Sequence, residues 1–214
     1  MIGGKYLIYN LTTVRFIKPM KKLRSSHKKK IVYDTAAKLF AKKGYSGTSI
    51  REIAEALDLQ KSSLYHYFKS KEDLLFKIMD DSMTVALQKI DGLYQSEVPP
   101  LEKLREFMHF YASFYAGDRD RLILLVNEVD QLSSVYRERL IYKERHYVEV
   151  LKGILSELQQ QGFMKPIPTA VASFAFFGMV HFTYKWYRQD GPVAPDQLGD
   201  FFWDIFTTGI FEQE

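Results

Sequence analysis

The chain has 214 residues, enough to bury a sizeable core in one or two domains, and a formal net charge of +4. It has no cysteine, which excludes disulfides and thiolate metal sites, and no run of 18 apolar residues, which excludes a spanning helix. The charge is unevenly placed: residues 1–80 carry a net of +10 and residues 81–214 a net of −6. A basic amino-terminal third on a mildly acidic body suits a head that meets a polyanion, although solubility alone also accounts for a basic surface.

Residues 1–19 show no clear period and lack the continuous apolar core of a signal peptide. They read as an upstream extension, or as the product of a start codon assigned too early, before the run MKKLRSSHKKK from Met20. A first helix is expected over about Ser26–Lys43, with Ile31, Ala36, Leu39 and Phe40 on its buried stripe and Gly44 as its stop. A second covers about Ser49–Ala56, with Ile50, Ile53, Ala54 and Leu57 on one face. Asp58-Leu59-Gln60-Lys61 is a connection of helix-turn-helix length, and a third helix follows over about Lys61–Tyr67. Ser70 is a good N-cap for a fourth helix reaching about Tyr94, with Glu72 and Asp73 favouring its positive end.

Pro99 and Pro100 open a fifth helix ending near Gly117. A sixth spans about Arg119–Gln131, a seventh about Ser134–Gln161, an eighth about Thr169–Arg188 and a ninth about Asp196–Phe211. No strand pattern competes and no internal repeat is evident, so the fold class is all-α with about nine helices.

The third helix presents Lys61, Ser62 and Ser63 at its start, the end from which a recognition helix contacts bases in the major groove. Tyr65 and Tyr67 point about 200° apart on a helix, so at most one of them is fully buried. Lys71 begins the fourth helix, where its ammonium and nearby backbone N–H groups suit a phosphate, and Thr48, Ser49 and Arg51 stand similarly at the second. N-capping is the plainer role for Thr48 or Ser49, and both roles can coexist.

The strings TSIREIA, from Thr48, and SSLYHYFKSKEDLL, from Ser62, resemble the DNA-binding signature of the TetR family of bacterial transcriptional regulators. The likeness covers about residues 27–80. It implies a three-helix DNA-binding head, a helical effector domain and a homodimer, and phosphate contacts for Tyr65, His66 and Tyr67. The domain division expected is residues 1–19 as the extension, 20–70 as the head, and 71–214 as the ligand-binding and dimerisation body. Two positions depart from the family pattern: Asp58 stands where Gly is usual at the turn, and Gln60 where Ser or Thr usually caps the recognition helix. Asp tolerates a left-handed backbone better than most residues, whereas Gln is a poorer cap.

The eighth and ninth helices are apolar around most of their circumference, which marks helices buried on more than one side. The resemblance implies that they pair two subunits. Candidates are Phe174, Gly178 and Phe182 on the eighth helix and Phe202, Ile205, Phe206 and Gly209 on the ninth, the two glycines permitting close approach. The string FFGMVHFTYKWYRQDGPVAPDQL, from Phe176, is similar to a branch of the family that regulates fatty-acid and sterol-ring catabolism in response to acyl-CoA thioesters.

An apolar pocket with a few polar anchors is expected in the body, lined from Phe107, Phe110, Tyr111, Phe114, Asn127, Glu128, His146, Phe177 and His181. Arg105, Arg145 and Lys185 are candidate cations for its mouth, and the histidines lack metal-ligand spacing. No GxSxG, P-loop, GxGxxG or HExxH motif points to an enzyme, so neither catalytic residues nor a cofactor are expected. The function expected is a cytoplasmic, ligand-responsive DNA-binding regulator, by family default a repressor that leaves a palindromic operator on binding a hydrophobic effector such as an acyl-CoA. An efflux-type regulator responding to drugs or aromatics, and a ligand-free architectural DNA binder, are the alternatives.

Overall fold

The structure, a computed structural model, describes residues 25–210, and the expected extension over 1–19 lies outside them. Ten α-helices and one 3-10 turn account for the regular structure among the described residues. The first four are α1 (Ser25–Lys43), α2 (Ile50–Ala56), α3 (Lys61–Leu64) and α4 (Lys71–Tyr94). Next come α5 (Pro100–Gly117), α6 (Arg119–Asn127), the 3-10 turn Val129–Gln131 and α7 (Ser134–Gln160). The last three are α8 (Thr169–His181), α9 (Thr183–Trp186) and α10 (Pro195–Ile210).

The helix ends follow from local chemistry. Gly44, at φ +78°, supplies the left-handed residue that ends α1, and its N–H returns to the Phe40 carbonyl at 2.8 Å. Ser49 opens α2 with a capping box: its hydroxyl accepts from the Glu52 N–H at 3.2 Å, and the Glu52 carboxylate accepts from the Ser49 N–H at 2.7 Å. Asp58 takes φ +52°, so the turn keeps its left-handed residue without glycine. Gln60 makes no side-chain cap bond to α3. Ser70 caps α4 by accepting from the Asp73 N–H at 3.0 Å.

Three helices differ from expectation. The third is regular only over Lys61–Leu64, where the Tyr67 N–H reaches the Leu64 carbonyl at 2.9 Å and tightens the chain. The sixth ends at Asn127, and the chain continues as the 3-10 turn. The eighth divides at Phe182, because the Thr183 hydroxyl takes the Val180 carbonyl at 2.7 Å and competes with the backbone ladder.

The core is continuous from end to end. In the amino-terminal part, Val32, Ala36 and Phe40 of α1 meet Ile53, Leu57, Leu64 and Phe68. Burying each large apolar side chain contributes roughly 1.5–3 kcal/mol relative to leaving it in water. α4 then passes into the body beside α7. Glu72 accepts from the Ser133 N–H, Phe76 stacks on Tyr136 at 4.2 Å, Lys143 clamps Asp80 and Thr84, and the Tyr147 hydroxyl donates to the Met83 carbonyl at 2.6 Å. These contacts ascend together along both helices, so α4 and α7 run parallel. α10 lies along α5, where Gly199 allows the approach: a Cβ there would stand 3.0 Å from the His109 Cα.

Candidate nucleic-acid interface and internal cavity

α2 and α3 bury one face and leave the other outward. Lys61 and Ser62 at the start of α3 are exposed, as are Ser49, Arg51, Tyr65 and His66, while Ser63 and Tyr67 are half-buried. Tyr67 is half-buried against the core, whereas Tyr65 is exposed and meets the core at Phe68, ring centroids 5.8 Å apart. Thr48 is turned inward: it is buried, and its hydroxyl donates to the carbonyls of Gly44 and Leu39 at 3.0 and 3.3 Å. Its structure is therefore that of a loop brace, and it is removed from the exposed constellation. Arg51 pairs with Glu55 at 2.8 Å in an exposed contact of small energetic weight. Lys43 reaches Glu52 at 2.6 Å, and that bond, with the two bonds of Ser49, holds the Glu52 carboxyl down to about 2.

Lys71 is half-buried, with its ammonium 4.2 Å from the centre of the Tyr45 ring. Burial lowers its pKa, against the opposing pull of the carboxylates of Glu128 and Glu52. Asp73, two residues on, is buried and accepts from the Lys69 N–H at 2.7 Å, from Lys77 at 2.8 Å and from the Tyr136 hydroxyl at 3.2 Å. Burial works to raise its pKa, but the bonds from Lys77 and the Lys69 N–H outweigh it, and the carboxyl lies below its ordinary value. The start of α4 is thus fixed on both sides.

The body holds a cavity in two lobes. The first, about 210 Å³, is lined by Met83, Tyr111, Tyr115, Leu125, Val126, Val129, Glu144, Tyr147 and His181. The second, about 200 Å³, shares Tyr111, Glu144, Tyr147 and His181 and adds Val148, Phe174, Phe177 and Gly178. Tyrosine hydroxyls organise the wall. Tyr115 donates to Tyr147 at 3.2 Å, Tyr147 donates to the Met83 carbonyl, and the Tyr111 hydroxyl shares a 3.0 Å hydrogen bond with His181 Nε2. Burial holds the His181 imidazole down to about 4, so it is neutral at pH 7, and burial raises the Glu144 carboxyl. Past Glu144, Val148 and Phe174 the second lobe meets an open groove of about 500 Å³ between α7 and α8, edged by Arg145, Glu149 and Lys152.

Of the nine expected pocket residues, Tyr111, Phe177 and His181 line the lobes. Six do not. Phe107 is enclosed in the core against Phe176 and Phe177, and Phe114 packs beside Phe110 and Tyr115. Phe110 edges a separate surface hollow with Arg105 and His109. His146 faces Asp91 of α4 at 2.7 Å, and Asn127 accepts from the Tyr184 hydroxyl at 3.3 Å. Glu128 turns away to accept from the Tyr45 N–H at 3.1 Å. Chain neighbours explain the last two, since a segment that turns Leu125 and Val126 of α6 and Val129 of the 3-10 turn to the cavity aims the positions between them elsewhere. Of the missed residues, Glu144 lies three positions before Tyr147, a helical spacing that places the carboxylate on the tyrosine's face.

The carboxy-terminal helices are also two-faced. Phe202 and Phe206 of α10 are buried within the chain, Phe206 against Phe176, so these two leave the outward set. Val171 and Phe174 of α8, Phe182 just after it, and Phe201 and Ile205 of α10 are exposed, and a Cβ on Gly178 or Gly209 would meet nothing within 4 Å. A lone chain therefore presents a broad apolar stripe. No helix among the described residues is long and apolar enough to cross a membrane.

Comparison with known proteins matches residues 32–78 to the family described as bacterial regulatory proteins, tetR family, and residues 97–210 to the tetracyclin repressor-like C-terminal domain. The HTH-type transcriptional repressor KstR2 of Mycobacterium tuberculosis (strain ATCC 25618 / H37Rv) is 25% identical over 184 residues, covering 84% of this chain and 91% of that protein. The fatty acid metabolism regulator protein of Bacillus subtilis (strain 168) is 25% identical over 181 residues, covering 84% and 93%. Among solved structures, AibR in complex with isovaleryl coenzyme A and operator DNA superposes with a TM-score of 0.74 at 32% identity, covering 83% of this chain and 97% of that one. The chain belongs to the TetR family of bacterial transcriptional regulators, whose members are DNA-binding transcription factors and not enzymes.

Proposed function

We propose that the protein is a cytoplasmic homodimeric repressor, released from a pseudo-palindromic operator by a small hydrophobic effector carried as an acyl-CoA thioester. Residues 20–70 act as the DNA-reading head and residues 71–214 as the effector and pairing body. Lys61, Ser62 and Ser63 read bases in the major groove, while Tyr65, His66, Tyr67 and Lys71, with Ser49 and Arg51 at α2, hold phosphates. The apolar stripe of α8 and α10 pairs with its symmetry copy, setting two heads near one helical turn apart, about 34–36 Å.

The juxtaposition that supports this most is a cationic reader joined by one helix, α4, to a wall of a tyrosine-lined cavity, through the Tyr147 bond to Met83. The two lobes suit a compact acyl group: the tyrosines and neutral His181 offer hydrogen bonds to a thioester or ring oxygen, and no cation lines either lobe. Arg145 and Lys152 edge the adjoining groove, where a phosphorylated carrier would find counter-charges. KstR2, the fatty acid metabolism regulator and AibR, whose structure holds isovaleryl coenzyme A, point the same way. Release is linkage: the effector frees DNA only to the degree that it prefers the state whose heads do not fit the operator.

A thermal-shift and gel-shift series with acyl-CoAs of increasing acyl size tests this. Stabilisation together with loss of binding to the protein's own upstream region is expected for short or compact acyl groups. No effect of any thioester, alongside release by free aromatics or drugs, would replace the acyl-CoA reading with the efflux-type one.

A further inference from the structure

Glu128 stands at the junction of α6 and the 3-10 turn, beside the residues that wall the first lobe. Leu125, Val126 and Val129 face the cavity. Between them Glu128 faces the opposite way and accepts from the Tyr45 N–H at 3.1 Å, across 83 positions of sequence. Tyr45 lies in the loop between α1 and α2, directly after the left-handed Gly44. Its ring carries the Lys71 ammonium at 4.2 Å, and the Glu128 carboxylate also acts on that ammonium. One carboxylate of the body is therefore hydrogen-bonded to the backbone of the head and lies near enough to the charge at the start of α4 to act on it through space. Because Glu128 and Val129 are consecutive in the chain, a backbone shift that moves Val129 outward also displaces Glu128.

We infer that Glu128 is the positioning residue that couples the cavity wall to Lys71: its bond to the Tyr45 N–H is a latch steadying the loop that aims the ammonium, and an occupant that pushes the Val129 backbone outward breaks that bond. This rests on the proposed reading that Lys71 holds a phosphate and that the cavity takes the effector. Glu128 touches neither DNA nor effector in this scheme. Its backbone bond and its charge separate by substitution: Glu128→Gln keeps an acceptor oxygen for Tyr45, and Glu128→Ala removes both.

The test uses the full-length protein and a duplex of its own upstream region, with affinity read by fluorescence anisotropy at several salt concentrations. Circular dichroism and thermal melting accompany each variant. Glu128→Ala is expected to weaken binding about tenfold and to reduce the salt slope by about one, while Glu128→Gln stays within about threefold of the parent. Val129→Trp, which fills the first lobe, is expected to weaken binding in the parent and to add nothing in the Glu128→Ala background. Hydrogen exchange at the Tyr45 amide gives a reading independent of DNA: it accelerates in Glu128→Ala and in Val129→Trp. Equal affinity, equal slope and unchanged Tyr45 exchange in Glu128→Ala would overturn the latch. If Val129→Trp fails to fold, acceleration at Tyr45 in Glu128→Ala with retention in Glu128→Gln supports it, and no acceleration overturns it. If the parent itself shows no preference for its upstream duplex, the DNA-reading proposal fails instead, and the Tyr45 exchange still decides the latch.

Discussion

Acidification offers a direct reading of the cavity wall. His181 has an ordinary pKa of 6.5 and is held down to about 4 in the folded chain by burial. The unfolded chain therefore binds the proton more readily, and stability falls as pH drops below 6.5, levelling off only below the folded value. Between pH 7 and pH 5 this one group costs about 2 kcal/mol, since most of the gap between the two pKa values is crossed there at 1.36 kcal/mol per unit. Urea denaturation of the parent and of His181→Gln at both pH values, at fixed ionic strength and protomer concentration, isolates that cost as a difference of differences. The parent is expected to lose about 2 kcal/mol more than the variant. The other four histidines are common to both proteins, so whatever they contribute cancels in the difference. Equal losses would show that His181 is not buried against the tyrosines as described. A larger loss in the variant would reverse the sign of the argument.

Further outcomes follow from the same geometry. Lys71→Ala is expected to weaken operator and random duplex alike and to reduce the salt slope by about one, whereas Ser63→Ala changes sequence preference; unchanged affinity of Lys71→Ala across a salt series counts against the phosphate role. Gly199→Ala forces a Cβ to 3.0 Å from the His109 Cα and 3.1 Å from its carbonyl oxygen, so a loss of about 1–3 kcal/mol is expected by thermal denaturation. Gly92→Ala, on α4 with nothing within 4 Å of its Cβ, is expected to stabilise by up to about 1 kcal/mol. Asp73 has a depressed pKa, so its contribution is complete above the ordinary 3.8 and is lost as pH falls through the folded value. Asp73→Asn should accordingly show a shallower loss of stability below pH 3.8 than the parent in acid titration followed by circular dichroism.

The amino-terminal part was the most legible because its signals are local. Capping at Ser49 and Ser70, the left-handed position at Asp58 and the burial difference between Tyr65 and Tyr67 depend on neighbours a few residues away. The cavity was harder to foresee because its walls come from α4 through α8, and an aromatic on an amphipathic helix looks the same whether it faces core or cavity. Phe107 and Tyr111 lie one turn apart on α5, yet only Tyr111 reaches the lobes. The long bond from Tyr45 to Glu128 has no local signature, and a carboxylate after an apolar run was equally compatible with a pocket anchor. The same limit applies to α10, where one face buries Phe202 and Phe206 and the face beside it exposes Phe201 and Ile205.

Phe174 and Gly178 belong both to the second lobe and to the exposed stripe of α8. Whatever covers that stripe also forms a roof for the lobe. If that cover is the proposed partner subunit, association and effector uptake draw on the same two positions, and neither equilibrium is independent of the other. Diluting the protein until its subunits separate would change the apparent affinity for a cavity occupant, even though no residue of the tyrosine cluster had moved.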